Sequence, residues 1–308
     1  MVVDLFLVLA GLGLLVLGGD HLVKGAVNLS LRLGVTPTVV GLTVVAFGTS
    51  APELIVSLSA ALKGSTDIAM GNVVGSNIAN VLVILGACAA LTGIPTKGLD
   101  LRESWVMMMA ASVVLILLAL SGPIGRMDGI LLLAMLGLVL WRQLSTATPD
   151  DASQPEGADT SANGGKIALW LAIGLVALPV GAQLLVSGAT DIARGFGISE
   201  TVIGLTLVAV GTSLPELAAS IASARAGRAD MAMGNVVGSN LFNILAILGI
   251  TALIKPLPIP PQMLQLDLWV MLASAALLWP FLFRGVRMGK RVGLGLLACY
   301  AVYVGVLL

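Results

Sequence analysis

The chain has 308 residues, 58% of them hydrophobic and only 10% charged, with no formal net charge and a mean hydropathy of +1.05. That balance excludes a soluble globular domain, and the lack of a basic excess excludes a nucleic-acid partner. It describes a polytopic protein whose main partner is the lipid bilayer.

Taken in chain order, apolar runs of roughly 20 residues, the length that crosses the hydrocarbon core, predict ten transmembrane helices. They lie at Val3–Gly19, Thr38–Leu62, Ile68–Thr92, Trp105–Leu120, Gly129–Leu144, Ile167–Thr190, Thr201–Ala224, Met231–Ile254, Leu268–Phe283 and Val292–Leu308. The N-terminal MVVDLFLVLAG carries Asp4 and no basic stretch, so it reads as a retained helix rather than a cleaved signal. His21, the single histidine, falls where the first span is expected to end and reads as interfacial packing. Cys88 and Cys299 lie in apolar spans without CxxC spacing and imply neither a disulfide nor a metal.

Between the fifth and sixth spans stands STATPDDASQPEGADTSANGG, Ser145 to Gly165, which has no apolar face to bury. It divides the chain into a first five-helix repeat (1–144), a flexible linker (145–165) and a second five-helix repeat (166–308). The linker acids Asp150, Asp151, Glu156 and Asp159 read as solvated charge. Loops after odd-numbered spans hold Lys24, Arg32, Lys97, Arg102, Arg142, Lys166, Arg225, Arg228, Arg284, Arg287, Lys290 and Arg291. The opposite side holds only Lys63, Arg126, Arg194 and Lys255. Because Lys and Arg are retained inside, the linker is expected in the cytoplasm and both termini outside, across a plasma membrane.

The two halves repeat each other. GLTVVAFGTSAPELIVSLSAALKGSTDIAMGNVVGSNIANVLVILG (41–86) matches GLTLVAVGTSLPELAASIASARAGRADMAMGNVVGSNLFNILAILG (204–249) without a gap, at about 29 of 46 positions. With five spans per repeat, the second copy must enter the membrane from the other side, which predicts inverted repeats related by an axis in the membrane plane. In such an architecture the substrate site lies near the midplane between discontinuous helices.

Pro52 removes a backbone donor inside an apolar span, so carbonyls around Ala46 to Gly48 are expected to leave the helix ladder. Lipid does not tolerate bare carbonyls, so they must face protein, water or an ion. Thr49 and Ser50 add hydroxyls and Glu53 a carboxylate on the same side; Ala209, Thr212, Ser213, Pro215 and Glu216 repeat the set. The following span supplies Ser76, Asn77 and Asn80, and its copy supplies Ser239, Asn240 and Asn243, at three- and four-residue spacings that share a helix face. Asn72 and Asn235 are weaker candidates. Gly71, Gly75, Gly234 and Gly238 read as small residues that let helices approach closely. The collected groups are all oxygens, with no thiolate or imidazole, so the set suits hard cations such as Ca²⁺ or Na⁺.

On these residues the chain resembles the calcium/cation antiporter superfamily: GTSAPE with GNVVGSNIAN, and GTSLPE with GNVVGSNLFN, look like its paired alpha-repeats. Within it, the prokaryotic sodium/calcium exchangers are the most similar branch. The resemblance implies that Glu53 and Glu216 coordinate Ca²⁺ in one state and Na⁺ in another. Thr49, Ser50, Thr212 and Ser213, with carbonyls near Ala46 and Ala209, would form flanking sodium sites completed by Ser76 and Ser239, while Asn80 and Asn243 border the centre. The first and sixth spans would slide across the remaining bundle. Some relatives have an acid where this chain has Asn243, so the centre here holds two carboxylates.

The expected function is secondary active antiport of Na⁺ against Ca²⁺ by alternating access, electrogenic and exporting calcium, with no enzyme activity and no cofactor. Intramembrane carboxylates also carry protons, so proton-coupled cation exchange is the alternative. A cation channel is the reading from a different class, since channels also use oxygen-lined sites. An intramembrane hydrolase lacks both an HExxH motif and a Ser/His pair.

Overall fold

The computed structural model describes residues 2–145, 159, 161–197 and 209–307, and their regular elements are helices. In chain order they are α1 (Val2–Leu33), α2 (Pro37–Thr49), α3 (Ala51–Leu62), α4 (Thr66–Leu91), α5 (Arg102–Ser121), α6 (Arg126–Ser145), α7 (Gly164–Gly195), α8 (Leu214–Arg225), α9 (Ala229–Ile254), α10 (Met263–Arg284) and α11 (Lys290–Leu307). Eight of them are long and apolar enough to cross a bilayer, and α2 and α3, bent by 43° at the break between them, reach that length and apolarity together. The remaining expected span begins at Thr201, outside the described residues, and is seen here as a turn at Ala209–Gly211 followed by α8. Residues 204–208 of the second motif and most of the linker also lie outside the described residues.

Helix ends depart from the hydropathy boundaries where polar residues ride on a helix without ending it. The expected stop at Gly19 is not there: α1 carries His21 and Lys24 within it and runs to Leu33. The His21 ring closes on the carbonyl of Leu17 at 2.8 Å, one turn back. What ends the helix is Gly34, with φ of 66°, followed by Thr36 capping the next turn ahead of Pro37. At 32 residues, α1 and α7 are each roughly 48 Å long, more than the ~30 Å hydrocarbon core needs, so they tilt or project beyond it.

Burial sorts the helices into a centre and a periphery. The most apolar windows of α4 and α9 are 78% and 83% buried, against 22% for α1, α6 and α7 and 11% for α11. Thus the helices bearing the GNVVGSN copies form the middle of the bundle, while side chains such as Phe6, Leu117 and Val302 face outward, toward lipid.

Hydrophobic burial gives little drive between helices in lipid, so close van der Waals packing must hold them together. Between α1 and α7, glycines at a seven-residue spacing on each helix supply it: Gly11, Gly18 and Gly25 each press on α7, and Gly174, Gly181 and Gly188 each press on α1. A Cβ on Gly11 would lie 2.6 Å from the Gly181 carbonyl, and one on Gly174 would lie 2.6 Å from Leu22. Gly11 meets Gly181 while Gly25 meets Leu171, so the pair is antiparallel.

The halves also interlock. Gly86 of α4 packs on Gly293 of α11, and Gly249 of α9 packs on Gly129 of α6, so each helix bearing a GNVVGSN copy rests on a helix from the other half of the chain. Two short β-bridges repeat the exchange: Ile94 pairs with Met288 through bonds of 2.8 and 3.0 Å, and Ile124 with Leu257 through two of 2.9 Å.

Candidate functional site

Both motif copies break in the same way. Ser50 sits at φ −82°, ψ 4° and Ser213 at φ −89°, ψ 6°, the sparsely allowed region between turn and helix. The next helix then restarts with proline in its first turn, where the missing N–H costs nothing. Four residues before each proline stand Gly48 and Gly211, whose carbonyls lose their usual helical donor. Side chains of α7 lie where a Cβ on either glycine would go: Leu175 over Gly48, and Val186 over Gly211.

The carbonyl of Ala46 is not freed as the sequence suggests. It accepts the Ser50 N–H at 3.0 Å and the Thr49 hydroxyl at 3.3 Å, because the helix keeps its ladder up to the residue before the break. Ala209 opens the first described turn after residue 208, which continues into the break at Ser213.

The breaks bring the two motifs together crosswise. Ser50 Oγ donates to Glu216 Oε1 at 2.9 Å, and Ser213 Oγ donates to Glu53 Oε1 at 3.3 Å. Ser213 Oγ also lies 3.4 Å from Ser76 Oγ, tying α4 to the pair, and Thr49 Oγ1 lies 3.3 Å from Asn235 Oδ1 of α9. Each copy carries its own hydroxyls and carboxylate, and the fold pairs each serine with the glutamate of the other copy.

Asn72 and Asn235 hold the restarted helices. Asn72 Nδ2 donates to the Glu53 carbonyl at 3.2 Å and to Ser57 Oγ at 2.9 Å. Asn235 Nδ2 reaches the Glu216 carbonyl at 3.4 Å and Ser220 Oγ at 3.0 Å. These even spacings in both copies make them braces for the glutamates' backbone.

Next along α4 and α9, a π-helical turn begins at each of Asn80 and Asn243, a local widening that recurs at functional sites. The asparagines bond across the interface, Asn80 Nδ2 to Asn240 Oδ1 at 3.0 Å and Asn243 Nδ2 to Asn77 Oδ1 at 2.9 Å.

Glu53 and Glu216 are each 1% exposed, and neither has a basic partner among the described residues. Buried polar atoms are nearly always satisfied. Among the described residues seven buried side-chain atoms are not, and six belong to residues that the sequence nominated: Glu53 Oε2, Glu216 Oε2, Thr212 Oγ1, Ser239 Oγ, Asn80 Oδ1 and Asn243 Oδ1. All six are oxygens, and the seventh is Thr190 Oγ1 on α7. Such a set suits a cation that takes about 6 to 8 oxygen ligands.

The glycine expectation holds in one copy. Gly234 and Gly238 of α9 lie under α2, where a Cβ would come 3.1 Å from the Thr38 carbonyl and 2.5 Å from the Leu42 carbonyl. Gly71 and Gly75 meet nothing within 4 Å among the described residues, and the matching stretch of the second motif lies outside them. Asp159 of the linker pairs with Lys166 at 2.7 Å, far along the chain from these motifs. The Lys166 hydrogen bond holds its carboxyl down at about 2. The bonding of Asn77 and Asn240 and the glycine heptads of α1 and α7 were missed from sequence, though the spacing Gly11, Gly18, Gly25 was there to be read.

The family model for sodium/calcium exchanger protein matches residues 3–145 and 166–308. The inner membrane protein YrbG of Escherichia coli is 40% identical over 98% of this chain and 95% of its own. The sodium/calcium exchanger MaX1 of Methanosarcina acetivorans is 32% identical, covering 99% and 98%. Among solved structures, the sodium-calcium exchanger NCX_Mj soaked with zero Na⁺ and Ca²⁺ superposes with a TM-score of 0.87 at 31% identity, covering 100% of this chain and 99% of that one.

Proposed function

Since the chain belongs to the sodium/calcium exchanger protein family and is an integral membrane antiporter of cations, we propose that it exchanges Na⁺ for Ca²⁺ at a single site centred on Glu53 and Glu216. The observation that carries this reading is the group of six buried, unpartnered oxygens. Two carboxylates match the charge of one Ca²⁺, and the hydroxyl and amide oxygens complete its shell. Thr49, Ser50, Thr212, Ser213, Ser76 and Ser239 supply the flanking sodium positions. A sodium ion using the Ala46 carbonyl displaces the Thr49 hydroxyl that now occupies it; the Ala209 carbonyl is the corresponding group of the second copy.

The switch is alternating access between inverted five-span repeats. Three features support that arrangement. The first helix of each half, α1 and α7, run antiparallel. The third span of each half packs on the fifth of the other. Loops contact one another in the two sets that ten spans require: on one side Thr96 bonds the Val286 carbonyl, Arg102 the Leu282 carbonyl and Arg142 pairs with Glu103. On the other side Arg126 bonds the Leu253 carbonyl and Ile124 pairs with Leu257. The first set holds most of the Lys and Arg, so it is cytoplasmic, with both termini outside.

An empty site bearing two buried negative charges resists crossing, because ionised carboxylates without a counter-charge are costly away from water. That cost couples the fluxes: the carrier turns over only when loaded with Ca²⁺ or with Na⁺. Loading more than two Na⁺ against two carboxylates moves net charge, so exchange is electrogenic and a negative-inside potential drives Ca²⁺ outward.

The test is ⁴⁵Ca²⁺ uptake into proteoliposomes preloaded with Na⁺, against K⁺-loaded and pH-jump controls. Uptake that requires internal Na⁺ is the expected result. Uptake driven by the pH jump alone transfers the assignment to proton-coupled exchange, and flux that neither saturates nor needs a counter-ion transfers it to a channel.

A further inference from the structure

Four asparagines from α4 and α9 meet at the centre of the bundle, Asn77, Asn80, Asn240 and Asn243, each at most 2% exposed. Their amides are not free to turn over. Asn77 Nδ2 faces the Asn240 carbonyl at 3.5 Å and Met271 Sδ at 3.6 Å, while Asn240 Nδ2 faces the Asn77 carbonyl at 3.4 Å. A carbonyl only accepts, so each of these amides must keep its nitrogen there and present its oxygen elsewhere. Those oxygens are the ones that receive Asn243 Nδ2 and Asn80 Nδ2. With their nitrogens committed, Asn80 and Asn243 are left with Oδ1 buried and without a partner among the described residues.

We propose that Asn77 and Asn240 are positioning residues that lock the amides of Asn80 and Asn243 oxygen-first, so that both present the negative end of the amide dipole to the transported cation. This rests on the ion-site reading above. An amide presented nitrogen-first would repel a cation, and without the lock both orientations are open to it. Asn80 lies one turn beyond Ser76, on the face of α4 that meets Ser213, so its freed oxygen belongs with the glutamate group. A carboxylate in its place would need no such lock, since both of its outer atoms are oxygens.

The test is a double-mutant cycle on the KM for Ca²⁺ of Na⁺-driven ⁴⁵Ca²⁺ uptake. Asn240→Leu removes the acceptor for Asn80, and the KM is expected to rise by about tenfold, as for loss of one buried amide interaction. In the N80A background the same change is expected to add nothing, and in the N80D background it is expected to have little effect. A purely structural role for Asn240 would raise the KM equally in all three backgrounds, which overturns the proposal. So does an N80A protein with wild-type KM. If Asn240→Leu does not yield monodisperse protein, Asn240→Thr, whose hydroxyl leaves Asn80 an acceptor, must fold and keep the KM near wild type; failure of both overturns the lock. A wild-type protein without Na⁺-dependent uptake fails the exchange reading itself, a result distinct from any outcome of the cycle.

Discussion

Ser50 of the first motif donates its hydroxyl to Glu216 of the second at 2.9 Å, and the pairing is reciprocal, Ser213 donating to Glu53 at 3.3 Å. Neither half therefore builds a complete oxygen group by itself. A change at one glutamate is felt at a serine of the other half. Removing the Ser50 hydroxyl takes away a bond to a carboxylate and a proposed sodium ligand together. Ser50→Ala is expected to raise the internal Na⁺ needed for half-maximal ⁴⁵Ca²⁺ uptake by about tenfold or more, in keeping with the roughly 1.5–3 kcal/mol of a hydrogen bond to a charged group. An unchanged Na⁺ dependence would remove Ser50 from the sodium positions.

Glu53→Gln keeps the size and the Ser213 contact but deletes half of the site's negative charge. Exchange is expected to fall by at least about a hundredfold, as loss of a charged ligand at a buried site implies, while the protein elutes as folded and monodisperse. Robust Ca²⁺ uptake by this variant would overturn the carboxylate-centred site, and Glu216→Gln is expected to behave alike.

The glycines of the seam between α1 and α7 leave no room for a side chain at their own positions. Gly181→Val sets new atoms against the Gly11 carbonyl, 2.9 Å from a Cβ, and against Leu15. It is expected to destabilise by about 1–3 kcal/mol or more, as overpacking does, read as a lowered Tm in detergent. Gly13→Val, where nothing lies within 4 Å of a Cβ, serves as the control and is expected to keep the wild-type Tm. Equal Tm values for the two variants would mean that the seam is not a close contact in the membrane protein.

Charge movement has a defined sign. On the proposed exchange, each Ca²⁺ entering Na⁺-loaded vesicles is traded for more than two Na⁺ leaving, so net positive charge moves out. An inside-positive potential set with K⁺ and valinomycin is expected to speed uptake several-fold, since about 100 mV is worth roughly 2.3 kcal/mol per elementary charge. Uptake indifferent to the potential would make the exchange electroneutral while leaving Na⁺ coupling intact.

Composition, the gap-free repeat and the oxygen-rich motifs were enough to nominate a membrane carrier and six of the seven residues whose buried oxygens are left unpartnered among the described residues. These are properties of local chemistry: hydropathy fixes what can lie in lipid, and a carboxylate beside proline in an apolar span stands out whatever surrounds it. Helix ends were less legible, as α1 shows, because Lys24 and His21 can ride on a helix, and only the backbone at Gly34 decides where it stops.

What the sequence by itself determined is the material of the site: two copies of a broken helix, each with hydroxyls and one glutamate, followed by an asparagine-bearing helix. What the tertiary structure decided is the wiring: that Ser50 serves Glu216 rather than its neighbour Glu53, that the Ala46 carbonyl stays in its ladder, and that Asn77 and Asn240 face the amides of the opposite half. The physical reason is distance along the chain. Each of these cross-bonds joins residues more than 150 positions apart, and hydrogen-bond partners at that separation are set by how the broken helices and α4 and α9 pack together, which no local pattern encodes.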